Sequence, residues 1–179
     1  MKKITHSVIS LIVITLLLAV FTGCDEAIKS NKKSEVPKSK EFKPYEKELS
    51  KLSGQLVYVP VYSSIYNQYE SNILHMTAIL SIRNISPNKE IIITRIEYYD
   101  TNGKLIKKFI HKPFSLGKMS SKDFVIAEND LEGGTGANFL VEWDSKTKIA
   151  TPIIESIMIG NLGTKGFSFT SRGKVIESH

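Results

Sequence analysis

Short apolar runs separated by turn residues fill the chain from Gly54 onward, and this pattern constrains the fold more than any other feature of the sequence. Such runs are typical of β-strands, because successive side chains of a strand point to opposite faces of its sheet. The alternation is clearest at positions 73–84, where apolar residues occupy every second position from Leu74 to Ile82 and polar residues largely fill the positions between. The pattern predicts a half-buried strand.

Eight strands are predicted, near positions 56–62, 73–84, 90–100, 104–111, 121–127, 138–143, 153–159 and 166–176. The third and fourth are joined through Asp100 to Gly103, and both Asn102 and Gly103 suit the positive φ angles of a tight hairpin. Seven or eight antiparallel strands in a segment of this length favour an all-β fold, a two-layer antiparallel sandwich of immunoglobulin-like type. A small β-barrel is the alternative, because strand number alone does not decide whether a sheet closes.

The first 23 residues have the pattern of a cleaved export signal. Lys2 and Lys3 give a basic start, and an almost continuous apolar stretch follows from Val8 to Phe21. As a helix this stretch would be about 21 Å long, short of the roughly 30 Å hydrocarbon core that a permanent membrane helix must cross. A signal peptide over residues 1–23 is therefore favoured over a transmembrane anchor.

Phe21, Thr22, Gly23 and Cys24 stand where the apolar stretch ends. Small residues before a cysteine at this point resemble the lipobox of bacterial lipoproteins, although leucine is usual where Phe21 stands. In those proteins the cysteine carries a diacylglyceryl thioether, and the leader is cut just before it. A thiolate is a good nucleophile for this alkylation, and two or three acyl chains such as palmitate hold a protein stably at a membrane. Cys24 is therefore the predicted lipid attachment site.

Residues 24–53 form a predicted flexible tether between this cysteine and the β domain at 54–179. The 29 residues after Cys24 include 14 that are Lys, Asp or Glu, and almost none is large and apolar. Such a segment cannot bury enough surface to offset the entropy lost on ordering it.

Charge and cysteine content exclude several classes of function. Residues 54–179 carry 14 basic and 12 acidic side chains, a net charge of +2 that is too balanced to indicate a nucleic-acid partner. The chain has one cysteine, so neither an intramolecular disulfide nor a cysteine-based zinc or redox site can form. His75, His111 and His179 are far apart in the sequence, and neither a metal site nor a cofactor is predicted.

The acidic, glycine-rich segment from Glu128 to Asn138 is the most chemically suggestive part of the domain. Glu128, Asp130 and Glu132 alternate, as in the first half of a calcium loop, but Phe139 stands where such a loop ends in a bidentate glutamate. A solvated acidic loop is the favoured interpretation. The glycines at 133, 134 and 136 lack the strand–helix setting and the lysine of a phosphate-binding loop, so they are expected to allow a sharp link between strands.

Aromatic residues suggest a second candidate site. Tyr58, Tyr62, Tyr66 and Tyr69 recur at spacings of three and four, which would suit a carbohydrate or partner platform, although packing at the rim of the sandwich is the commoner role. Trp143, on alternate positions with Phe139 and Val141, is expected to fill the core.

Several segments together resemble the bacterial proteins grouped as domain of unknown function 3124. The resemblance covers nearly the whole domain and rests on Tyr58–Tyr66, Ser81–Asn84, Tyr98–Asp100, Gly136–Trp143, Met158–Gly160 and Phe169–Ser171. It implies a domain associated with the cell envelope, often with a lipoprotein leader, and it implies no assigned activity or catalytic residues.

Two functional hypotheses follow from the sequence. The first is a non-enzymatic binding or accessory module, lipid-anchored to a bacterial membrane with its domain in the periplasm or at the cell exterior, whose partner is an unknown envelope protein or ligand. No serine stands in the glycine-flanked pattern of a nucleophile elbow, so no catalytic residue is predicted. The alternative is a ligand-binding or hydrolytic site at the rim that uses the three carboxylates and the four tyrosines. The sequence does not decide between inner and outer membrane.

Overall fold

The computed structural model describes Pro44 and residues 53–179. The predicted signal peptide, Cys24 and nearly all of the predicted tether lie outside the described residues. No helix in the described part of the chain is long and apolar enough to cross a membrane.

The described part of the chain forms one 3₁₀ turn, Gly134–Gly136, and twelve strands: β1 Ser53–Pro60, β2 Ser64–Asn67, β3 Tyr69–His75, β4 Thr77–Arg83, β5 Ile91–Tyr99, β6 Leu105–Lys108, β7 Phe114–Leu116, β8 Ser121–Ile126, β9 Asn138–Ser145, β10 Ile153–Leu162, β11 Lys165–Arg172 and β12 Lys174–Ser178.

The strands form two antiparallel sheets and a separate hairpin. The large sheet has the order β12-β1-β9-β5-β6, and β7 also pairs with β5. The small sheet has the order β11-β10-β4-β8, and β2 pairs with β3 alone. The predicted all-β sandwich is confirmed, and the barrel alternative is wrong because the sheets do not close.

The core lies between the two sheets. The large sheet contributes Val59, Ile96 and Phe139, and the small sheet contributes Leu80 and Met158, all fully buried. The rings of Tyr98 and Phe139 pack with centroids 5.1 Å apart. The predicted core positions of Trp143, Phe139 and Val141 are confirmed. With no cysteine after position 24, burial and hydrogen bonding hold these layers together.

The predicted strand at 73–84 is two strands that separate at Met76. The predicted apolar face is confirmed for Met76, Ala78, Leu80 and Ile82, which are fully buried. The backbone amide of Met76 donates to the carbonyl of Ser63 (2.9 Å), one position beyond the Ser64–His75 pair of the β2–β3 hairpin. After Met76 the chain changes partners, and β4 runs through the small sheet.

The predicted strand at 166–176 is also two strands, one in each layer. The chain bends at Gly173, whose amide donates to the carbonyl of Ile154 (2.8 Å). A Cβ at this position would lie 2.6 Å from Val57 Cγ1 and 2.9 Å from the Ile154 oxygen, so only glycine fits without displacement. β11 therefore completes the small sheet, and β12 pairs with β1 in the large one.

The predicted β5–β6 hairpin is confirmed, but its turn differs in detail. Of the two residues expected at positive φ, only Gly103 has one (+78°). The Asp100 carboxylate accepts hydrogen bonds from the amides of Asn102 and Lys104, both at 2.8 Å. These two hydrogen bonds stabilise the turn. One residue of the turn has a left-handed backbone conformation, whereas two were expected.

The sandwich has two distinct ends. At one end the chain enters β1 at Ser53, which pairs with Ser145, and this end also holds His179 and the loops 84–90, 117–120 and 146–152. We call it the tether end. The opposite end, here the hairpin end, holds the β2–β3 hairpin, the Asp100–Lys104 turn and the loop 127–137.

Candidate functional site

Asn84, the last residue of the Ser81–Asn84 segment, organises the tether end. Its side chain is 2% exposed, and its Nδ2 donates to the carbonyls of Lys89 (2.8 Å), Gly117 (2.9 Å) and Leu116 (3.2 Å). Its Oδ1 accepts from the amide of Ser86 (2.9 Å). One buried amide thus fixes the 84–90 loop against the loop that follows β7.

A pocket of about 540 Å³ lies beside these loops at the tether end. The 84–90 loop supplies Lys89 and Glu90, the loop after β7 supplies Lys118, and the loop after β9 supplies Lys146. Ile92, which is 1% exposed, contributes an apolar part of the wall. Residues that are up to 59 positions apart in sequence, Asn88 and Thr147, therefore meet in one cavity.

The charges of this pocket favour an anion. Three lysines and one glutamate line it, so its charged side chains sum to +2. Both oxygens of Glu90 are engaged: Lys146 Nζ lies 3.7 Å from Oε1, and Ser115 Oγ donates to Oε2 (2.7 Å). Lys89 Nζ donates to Thr147 Oγ1 (2.7 Å), which holds the ammonium group at the pocket wall. Ammonium groups held in this way act as point charges that bind phosphate oxygens.

A smaller cavity of about 180 Å³ adjoins the same end and includes Gln55, Trp143 and His179 in its lining. Gln55 Oε1 and Trp143 Nε1 are both buried and have no hydrogen-bond partner among the described residues. A polar cavity with an unpaired acceptor and donor is suited to hold ordered water. His179 Nε2 lies 2.9 Å from Asp144 Oδ1 at its edge.

The four predicted tyrosines do not share one surface. Tyr58 lies on the outer face of the large sheet, between the buried Val57 and Val59. Tyr62 packs against Phe169, with ring centroids 5.9 Å apart. Tyr66 and Tyr69 are exposed on the β2–β3 hairpin.

The three predicted carboxylates lie in the loop at the hairpin end. Glu128 lines an open depression with His75, Asn129 and Leu131. Asp130 accepts a hydrogen bond from the amide of Glu132 (3.3 Å), and the Glu128 and Glu132 residues are exposed. Among the described residues no group of three His, Cys, Asp or Glu side chains is placed to hold a metal ion.

The glycines of this loop allow the chain to pass close to the end of β5. Thr101 Oγ1 donates to the carbonyl of Gly133 (3.0 Å) and accepts from the amide of Gly136 (2.9 Å). Ser63 Oγ donates to the carbonyl of Gly134 (3.0 Å). A Cβ on Gly133 would collide with the hydroxyl of Tyr98, a residue whose burial raises the pKa of its phenol.

A polar network covers the outer face of the large sheet. Glu97 Oε1 lies 2.9 Å from Lys108 Nζ, and its Oε2 accepts from the Tyr99 hydroxyl (2.7 Å). Burial raises the pKa of Glu97, but these two hydrogen bonds and the nearby charges outweigh it and set the pKa below its ordinary value. Arg95 pairs with Glu142 (3.2 Å) on the same face, and the hydrogen bond to Glu142 raises the pKa of Arg95.

Residues 54–176 match the family model described as "Protein of unknown function (DUF3124)". The chain belongs to this family. The DUF3124 match spans β1 to β12, so it includes both ends of the sandwich. A crystal structure of Thermotoga maritima 1070 aligns with the chain at a TM-score of 0.38 and 13% sequence identity, covering 67% of this chain and 92% of that one. No curated protein matches the chain.

Sequence reasoning missed the tether-end pocket of this DUF3124 domain. Its lysines stand in three separate loops, and each is an ordinary surface lysine in the sequence. Asn84 gave a local signal, since an asparagine that follows a strand and precedes the turn residues Ser86-Pro87-Asn88 is suited to satisfy loop carbonyls.

Proposed function

We propose that this DUF3124 protein is a lipid-anchored, non-enzymatic binding module of the bacterial cell envelope. The observation that carries the proposal is the series Phe21-Thr22-Gly23-Cys24 at the end of an apolar stretch, which resembles a lipobox. The cysteine is the only one in the chain, so no disulfide competes for its thiol. Two or three acyl chains on Cys24 would make attachment stable, whereas one chain would be marginal.

The domain supports a binding role more than a catalytic one. The seven residues of the alternative rim site lie on the outer face of the large sheet, against Phe169, on the β2–β3 hairpin and in the 127–137 loop. Of these residues only Glu128 lines the depression beside His75. We therefore do not propose a hydrolytic activity for them. The partner that the module serves is an envelope protein or ligand.

Metabolic labelling with a palmitate analogue tests the anchor. We expect the wild-type protein to incorporate label and to fractionate with membranes, and Cys24→Ala to do neither. Ser30→Ala, in the predicted tether, is the control for a substitution near the processing site. If wild type and Cys24→Ala both incorporate label only at the background level, the proposal is overturned.

A further inference from the structure

We propose that the tether-end pocket binds the phosphodiester headgroup of an anionic membrane lipid. The inference deepens the proposed function, on which it depends for bringing the domain to a bilayer. The binding itself can be measured without the lipid anchor.

The first argument is the chemistry of the cavity. Lys89, Lys118 and Lys146 line a space of about 540 Å³ with Glu90 as the one carboxylate of its lining. Lys146 and Ser115 already engage that carboxylate, which lowers its repulsion of a bound anion. A phosphodiester carries one negative charge and accepts hydrogen bonds from ammonium groups.

The second argument is position. The chain enters the domain at Ser53, and Ser145 and Thr147 line both this entry and the pocket. Pro44, which also belongs to the predicted tether, bridges to Phe114 of β7, the strand that leads into Lys118. The tether end is therefore the end of the domain from which the chain leads back towards Cys24, the predicted lipid attachment site.

The third argument is the charge of the opposite end. The hairpin end also holds the β10–β11 turn, because Ile159 of β10 pairs with Thr77 at the start of β4. It carries five carboxylates and two lysines, on the β2–β3 hairpin, in the turns and loops and at the start of β11: Glu70, Asp100, Lys104, Glu128, Asp130, Glu132 and Lys165. An anionic surface repels this end and attracts the tether end. The charge distribution of the domain therefore favours the orientation in which the tether end faces the membrane. This attraction acts over about 10 Å, the Debye length at moderate salt.

The test uses residues 24–179 with Cys24→Ser, so that no acyl chain contributes. Binding is measured by sedimentation with vesicles of phosphatidylglycerol and phosphatidylcholine in equal parts, and with vesicles of phosphatidylcholine alone. We expect binding to the mixed vesicles only. Lys89→Gln with Lys118→Gln should weaken it about 25-fold, since a lysine near an anionic surface contributes about fivefold.

The matched control removes the same charge from the other end. Lys104→Gln with Lys165→Gln has the same net charge as the pocket variant and should change affinity by less than about twofold. Glu90→Gln should strengthen binding by about fivefold, an increase that loss of folding cannot produce. Equal weakening by both lysine pairs, or no gain in Glu90→Gln, would overturn the pocket as the site.

A second arm separates the lipid from free phosphate. Chemical shifts of the tether-end amides are followed during titration with inorganic phosphate and with a short-chain phosphatidylglycerol below its micelle concentration. Tighter binding of the lipid supports the proposal. Tighter or equal binding of inorganic phosphate would overturn it in favour of a soluble anion. A failure in either arm leaves the palmitate labelling of Cys24 unaffected, so the two proposals fail separately.

Discussion

The Asn84 side chain holds together two of the three chain segments that form the tether-end pocket. Asn84→Ala removes the donor for three carbonyls and the acceptor for the Ser86 amide, at a site that is 2% exposed. Buried polar groups left without a partner each cost about 1–3 kcal/mol. We expect the free energy of unfolding to fall by about 2–4 kcal/mol in urea titrations.

Asn88 provides the control for this experiment, because it is exposed in the same loop. Asn88→Ala should change the free energy of unfolding by less than about 0.5 kcal/mol. If Asn84→Ala were as stable as Asn88→Ala, the side-chain amide would not be what fixes the loops.

Gly133 is constrained by what surrounds it and not by its backbone angles. Its φ of −71° is open to any residue, but an added Cβ would collide with the Tyr98 hydroxyl and lie 2.8 Å from Ser63 Oγ. Gly133→Ala should therefore cost about 1–3 kcal/mol of stability, as overpacked sites do. Gly117→Ala, whose Cβ would meet only Ser120 Oγ at 3.4 Å, should leave thermal unfolding nearly unchanged.

At the scale of elements, the network around Glu97 makes the large sheet sensitive to acid. The pKa of Glu97 is lower in the folded protein, so its contribution to stability is present above the unfolded pKa and is lost as pH falls through the folded one. We expect wild type to be more stable than Glu97→Gln at pH 7, and the difference to shrink as pH falls below about 4. Urea unfolding across this range measures it, and a pH-independent difference would contradict the assignment.

The β2–β3 hairpin should be the least protected pair of strands. It pairs with neither sheet, and most of β3 is exposed, whereas β9 is hydrogen-bonded to β1 and β5 on its two sides. Amide exchange follows local opening, which is easiest where few contacts are buried. We expect amides of β3 to exchange at least about a hundredfold faster than those of β9 by mass spectrometry. Comparable rates would show that the hairpin is packed more firmly than its exposure indicates.

The sequence predicts strands well where one face is buried and poorly where strands change partners. Alternation identified the apolar face from Met76 to Ile82, and Gly103 identified the β5–β6 hairpin. The break at Met76 is where the chain changes from pairing with β2 to pairing with β8 and β10, and the bend at Gly173 packs against Val57 and Ile154, which are distant in sequence. No local pattern reports such contacts. The tether-end pocket was missed for the same reason.

At the scale of the whole molecule, the proposed orientation of the domain on a membrane can be measured directly. In the Cys24→Ser background, an environment-sensitive fluorophore is attached at Asn88→Cys or at Asn129→Cys, exposed positions at the tether end and hairpin end respectively. Addition of phosphatidylglycerol vesicles should change the fluorescence of the first protein and leave the second unchanged. A response at Asn129 alone would mean that the domain docks the other way round.

The two outermost residues of the domain are joined to each other. The amide of Gly54 donates to the carbonyl of His179 (3.0 Å), and the amide of His179 donates to the carbonyl of Gly54 (3.1 Å). The strand that begins the domain is therefore bordered by the strand that ends it. These two residues are 125 positions apart in the sequence, so closing this border orders a long loop, and we expect it to form late in folding.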